Sequence, residues 1–145
     1  MTTKFDTRGL ASYIPDRELE SVEGVWLRFP GGRAFRCLRA GGSNTKFLRA
    51  FQTAIKPYQR QIDRKTLDPE VSDQIMRDVY SQTVVKGWEG IKDADGNEVP
   101  YSPETAVEFF KAVPELFTEL TDQCANMANF AEQEAEEAKE ILGEA

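Results

Sequence analysis

Few residues of this chain are able to do covalent chemistry. There is no histidine among its 145 residues, which removes the commonest general base and the commonest transition-metal ligand together. The two cysteines, Cys37 and Cys124, are too few for a structural zinc site and read as free, buried thiols without a disulfide. Asp93, Asp95 and Gly96 invite a calcium test. With Gly96 at the sixth loop position, that site needs an acid at Ile91 and a bidentate glutamate at Ser102, and neither is present. The cluster reads as a turn. Gly31-Gly32 and Gly41-Gly42 match neither a P-loop nor a dinucleotide fingerprint and are turn glycines as well. Catalysis by carboxylates alone stays open, but no nucleophile–base pair, cofactor cradle or metal set assembles. The expectation is a binding protein and not an enzyme, with no cofactor and no metal.

The elements around these residues are legible. A length of 145 residues with 40% hydrophobic and 30% charged residues suits a single domain with one core. Residues 1–22 read as an arm without a core of its own, 23–130 as one globular domain, and 131–145 as an acidic helical tail. Val25–Phe29 and Ala34–Leu38 flank Pro30-Gly31-Gly32-Arg33, which predicts a β-hairpin with Val25, Leu27 and Phe29 on its inner face. Arg36 falls on the outer face, opposite Phe35 and Cys37.

Helical spacing follows. Phe47, Leu48, Phe51, Ala54, Ile55 and Tyr58 predict a helix over 44–60, kinked or ended near Pro57. Asp68-Pro69-Glu70 opens a second over 69–85, with stripe residues Val71, Ile75, Met76 and Val79 and a stop at Gly87. Asp93–Gly96 predicts a short hairpin turn. Ser102-Pro103-Glu104 caps a third helix over 103–112, and Pro114 starts a fourth over 114–140. The fold expected is α+β and mostly α-helical: an N-terminal hairpin, four or more helices, and a short hairpin near 90–100.

Charge is split along the chain. Residues 1–65 carry a net +7 and residues 66–145 a net −14. One reading is head-to-tail self-association, or capture of a basic partner by the acidic half; the other is two solvated faces. Arg28, Arg33, Arg36 and Arg39 sit on or beside the hairpin, but an acidic chain repels phosphate, so nucleic acid is not an expected partner. No apolar run approaches the roughly 20 residues that span a bilayer. The start of the chain lacks the apolar core of a secretory signal, which points to the cytoplasm and away from membranes.

Taken in order, RAGGSNTKF, Lys56-Pro57, VVKGWEGIKDADGNEVPYSPETA and the helix start Pro114-Glu115-Leu116-Phe117 resemble the tail assembly chaperones of long-tailed, siphovirus-type bacteriophages. The resemblance runs from about Val25 to about Phe130 and is sharpest over Val84–Phe117. It implies a small, mainly helical protein of the infected host cytoplasm. Such a protein binds and solubilises the tape measure protein before the tail tube polymerises, and is absent from the finished virion. In many such phages a frameshifted longer product also recruits the tail tube subunit. The family carries no catalytic residues. A homo-oligomer is expected from the charge split and the arm. The alternative is a structural virion component, a head–tail connector or tail completion protein.

An escort of this kind needs an apolar surface for a helix and a charged rim for solubility. The densest aromatic cluster lies on the last helices, which makes Phe109, Phe110, Leu116, Phe117, Leu120 and Met127 the candidate partner-binding residues.

Overall fold

The computed structural model describes residues 4–131, apart from the side chains of Met127 and Ala128. Strands β1 (Val25–Phe29) and β2 (Arg33–Cys37) form the expected hairpin around Pro30–Gly32. A third strand, β3 (Val85–Glu89), pairs antiparallel with β2, giving the order β1-β2-β3. Helices α1 (Thr45–Ile55), α2 (Gln59–Asp63), α3 (Pro69–Thr83), α4 (Pro103–Ala112) and α5 (Pro114–Ala125) complete the mostly α-helical α+β fold. No helix among the described residues is long and apolar enough to cross a membrane.

Helix α3 stops at Thr83, short of the expected 85, because Val84 and Val85 serve the sheet. Opposite Phe35 stands Trp88, and opposite Cys37 stands Val85. The register shift between Arg36 and Cys37 lets both Trp88 and Val85 meet inward-facing partners. Tyr101 locks this junction, its hydroxyl 2.6 Å from the Ser81 carbonyl and 2.7 Å from that of Val85. Trp88 Nε1 donates to the Val99 carbonyl at 2.8 Å and draws the 90–101 loop onto β3. Within that loop Asp93 accepts from the amides of Asp95 and Asn97, each at 2.9 Å, and Lys92 pairs with Glu98. The expected short hairpin is present.

The expected caps are formed. Ser102 accepts from Thr105 N at 3.1 Å, and Asp68 from Glu70 N at 2.9 Å. Near Pro57 the first helix breaks into a 3-10 turn, Lys56–Tyr58, before α2. The fourth expected helix, 114–140, ends at Ala125, where Asn126 turns to extended backbone (φ −79°, ψ 112°). Asn129 Nδ2 satisfies the Gln123 carbonyl at 2.8 Å and stabilises this exit. Phe130 is then fully buried, and Ala131 bridges to Pro15. The acidic tail expected beyond Ala131 lies outside the described residues.

The arm is fastened from Pro15 onward. Asp16 N donates to the Phe130 carbonyl at 2.9 Å. Glu20, 1% exposed, accepts from the Arg39 guanidinium, from Ser43 N at 3.0 Å and from Ser43 Oγ at 2.8 Å. Burial alone pushes the Glu20 carboxyl up, but these donors together hold it below its ordinary value. A side chain at Gly42, where φ is +54°, would place Cβ 2.7 Å from Glu20 Oε2. The glycine pair of RAGGSN thus leaves room for a buried ion pair. Asn44 closes the knot, donating to the carbonyls of Arg39 at 2.8 Å and Thr83 at 2.9 Å.

Candidate functional site

Core packing decides which apolar residues remain available to a partner. Ring contacts run without a gap from the sheet to the far helix. Phe29 meets Phe35 at 5.5 Å, Phe35 meets Phe110 at 5.7 Å, and Phe110 meets Phe117 at 4.9 Å. Phe117 meets Tyr80 at 5.6 Å, Tyr80 meets Phe47 at 5.5 Å, and Phe47 meets Phe51 at 6.0 Å. Aromatic pairs at such separations add to the area they bury. The two thiols close the same core: Cys37 and Cys124 are both free and fully buried, and burial, with the Cys124 thiol as neighbour, pushes the Cys37 thiol up.

This ladder consumes much of the expected site. Phe110 and Leu120 are fully buried and Phe117 is 8% exposed, so their side chains hold the fold. Phe109 and Leu116 are half-buried against the same cluster. The side chain of Met127 lies outside what the structure describes.

An open apolar surface occurs instead where the ladder ends. Phe51 and Ile55 of α1, Ile62 of α2, Leu67, and Ile75 and Met76 of α3 line a groove of about 430 Å³. All six are half-buried. The sequence places them there in three steps. The helical period of α1 brings Phe51 and Ile55 to one face, Pro57 turns the chain, and the Asp68-Pro69 start sends α3 back across the opening. The stripes that would seal a longer helix pair are left uncovered at this corner. Sequence periodicity marked Phe51, Ile55, Ile75 and Met76 as stripe residues but gave no sign that they would stay half-exposed. Ile62 and Leu67 belong to no long periodic run and were not marked.

The chain around α2 is rich in cations, of which Lys65 lines the groove. Lys56, Arg60, Arg64 and Lys65 are exposed and enter no ion pair among the described residues. Lys65 lines the groove and holds φ at +58°, the sole positive φ outside glycine among the described residues. It closes α2: Lys65 N donates to the Ile62 carbonyl at 3.1 Å and Thr66 N to that of Gln61 at 2.8 Å. This helix ending favours glycine at the left-handed position. A lysine there costs conformational energy and sets an ammonium beside the apolar surface.

The arginines of the hairpin are engaged by the chain itself. Arg28 pairs with Glu89 at 3.2 Å, Arg33 donates to the Pro30 carbonyl at 3.1 Å, and Arg36 to that of Glu23 at 2.9 Å. Arg39 is held by Glu20. A second depression of about 340 Å³, between α3 and α4, is lined by Asp78, Glu104 and Glu108 and offers little apolar surface. No cluster of metal-ligating side chains occurs among the described residues.

No curated protein and no solved structure shows a significant match to the chain. The sequence model of the YdaY prophage protein family matches residues 42–140, a span that contains the whole groove and leaves out the β1–β2 hairpin. Since that match covers well over half of the chain, this protein belongs to the YdaY prophage protein family.

Proposed function

We propose that this prophage-family protein is a tail assembly chaperone: it takes apolar helical stretches of the tape measure protein into the groove between α1, α2 and α3. The observation that carries the reading is that groove, lined by six half-buried apolar side chains and by Lys65, which enters no ion pair among the described residues. An amphipathic helix laid in such a groove buries its apolar face while the rim keeps the complex hydrated. The motifs that resemble tail assembly chaperones support the same reading, and the match to a prophage family agrees with it.

On this reading the chain acts in the host cytoplasm, binds before the tail tube closes around the tape measure, and leaves before the particle is complete. A longer frameshifted product would bring the tail tube subunit, and copies of the chain would associate along one tape measure. Quantitative mass spectrometry of lysate and of purified particles tests it. The chain should co-purify with tape measure protein from lysate and be missing from particles. Stoichiometric presence in particles would make it a structural component instead.

A further inference from the structure

We infer that β1 is an interface strand: its open edge pairs antiparallel with β1 of a second copy of this chain, about a twofold axis through Leu27. The sheet order β1-β2-β3 leaves two outer edges, and the fold treats them differently. β3 carries Lys86 and Glu89, meets β2 across a register shift, and has the 90–101 loop drawn onto it by the Trp88–Val99 hydrogen bond at 2.8 Å. Charges, bulges and covering loops are the means by which sheets keep an edge from recruiting another strand. β1 has a single charge, Arg28, and neither of the other devices. Its inward positions are Val25, Leu27 and Phe29, its pairing with β2 runs in unbroken register, and no other described segment pairs with it.

The side chains of β1 decide which strand fits there. Antiparallel pairing about Leu27 sets that residue against the partner's Leu27, Val25 against the partner's Phe29, and Trp26 against the partner's Arg28. The inner apolar row of one sheet then continues into the other. On the outer face a ring meets a cation. Trp88, the other tryptophan, is packed edge-on against Phe35, Tyr101 and Phe109, whereas Trp26 is 46% exposed. Arg28 reaches only Glu89, in an ion pair whose side chains are 72% and 53% exposed, a contact of small worth. A guanidinium over an indole face is a favourable pair, and the twofold axis forms it twice. Val22, exposed just before the strand, adds a further apolar side chain to this segment.

An extended peptide of another protein could bond to the same edge through its backbone, but it would have to bring its own cation for Trp26 and its own ring for Arg28. A second copy brings both in the required register. Twofold pairing joins the two three-stranded sheets into one and closes at two copies, whereas the head-to-tail association that the charge split allows gives rings or open chains. The inference goes beyond the tape measure reading and stands without it, since it rests on the sheet and not on the groove.

The test uses the full chain with no other protein present. Sedimentation velocity should show a monomer–dimer equilibrium. Amide hydrogen exchange should slow in Val25–Phe29 as protein concentration rises and stay constant in Val85–Glu89. Trp26→Lys sets a lysine against the partner's Arg28 and should weaken the dimer about tenfold, since two like-charged cross-strand pairs replace two attractive ones. Adding Arg28→Glu to Trp26→Lys should recover the dimer, because the same axis then sets lysine against glutamate. Both side chains are exposed, so both variants should keep the parent fold, which circular dichroism and thermal unfolding check. A monomer at every concentration would overturn the inference. So would association that leaves exchange in β1 unchanged, or a folded double variant that stays as weak as Trp26→Lys alone.

Discussion

The two aromatic helices and the α1–α2–α3 corner present opposite relations between composition and availability. Helices α4 and α5 carry Phe109, Phe110 and Phe117, the residues a sequence reader would choose for a partner. The structure spends Phe110 and Phe117 on the ladder that joins the sheet to α1. The corner has plainer residues, Ile55, Ile62, Leu67, Ile75 and Met76, and leaves every one half-buried. Density of large apolar residues marks a core, whereas interrupted periodicity marks an open surface. Pro57 and the Asp68-Pro69 restart make the interruption here.

The sharpest way to break this contrast is to cut one residue from each side. Phe110→Ala should cost about 3–5 kcal/mol, since it empties a fully buried site. Met76→Ala, at a half-exposed site, should cost about 1 kcal/mol. Urea unfolding of both variants checks the ratio, and equal losses would show that the corner is core as well.

The buried knot at Glu20 should come next in size. Glu20→Ala leaves the Arg39 guanidinium without its partner and should cost about 3 kcal/mol. The pH dependence has a definite sign. The folded carboxyl is held below its ordinary value of 4.5, so its contribution is full above that pH. It is lost as pH falls through the lower folded value. Acid titration of stability should show this loss in the parent chain and a flatter profile in Glu20→Gln.

The cap at Ser102 is smaller. Ser102→Ala removes the acceptor for Thr105 N and should cost about 1 kcal/mol, read by thermal unfolding. The smallest effect has the opposite sign. Lys65→Gly relieves a left-handed lysine and should stabilise the chain by about 0.5 kcal/mol. It should also weaken helix binding in the groove, so that stability and binding move apart. A variant that gained both would remove Lys65 from the site.

Much of the fold was legible because local chemistry and tertiary role agree. The Pro-Gly-Gly turn, the Ser102 and Asp68 caps and the Asp93–Gly96 turn each satisfy their backbone within a few residues. Illegible features depend on distant partners. Val84 and Val85 extend the α3 stripe on paper, but β2 lies ready to pair with them. Phe130 fits the α5 period, yet the chain leaves the helix at Asn126 and packs it beside the arm. The candidate groove was illegible for the same reason. Periodicity identifies a stripe, and only the geometry at Pro57 and Pro69 determines whether another element covers it.

The central claim, that the α1–α2–α3 groove and not the α4–α5 surface receives the partner, is tested most directly by co-expression with the tape measure protein. The measurement is the soluble fraction of the tape measure beside the parent chain, beside Met76→Glu, and beside Leu116→Glu at the half-buried α5 position, with each chaperone's own folding checked by circular dichroism. The account predicts that a folded Met76→Glu loses most of the soluble tape measure while a folded Leu116→Glu retains it. The reverse pattern would return the site to the last helices and contradict the account.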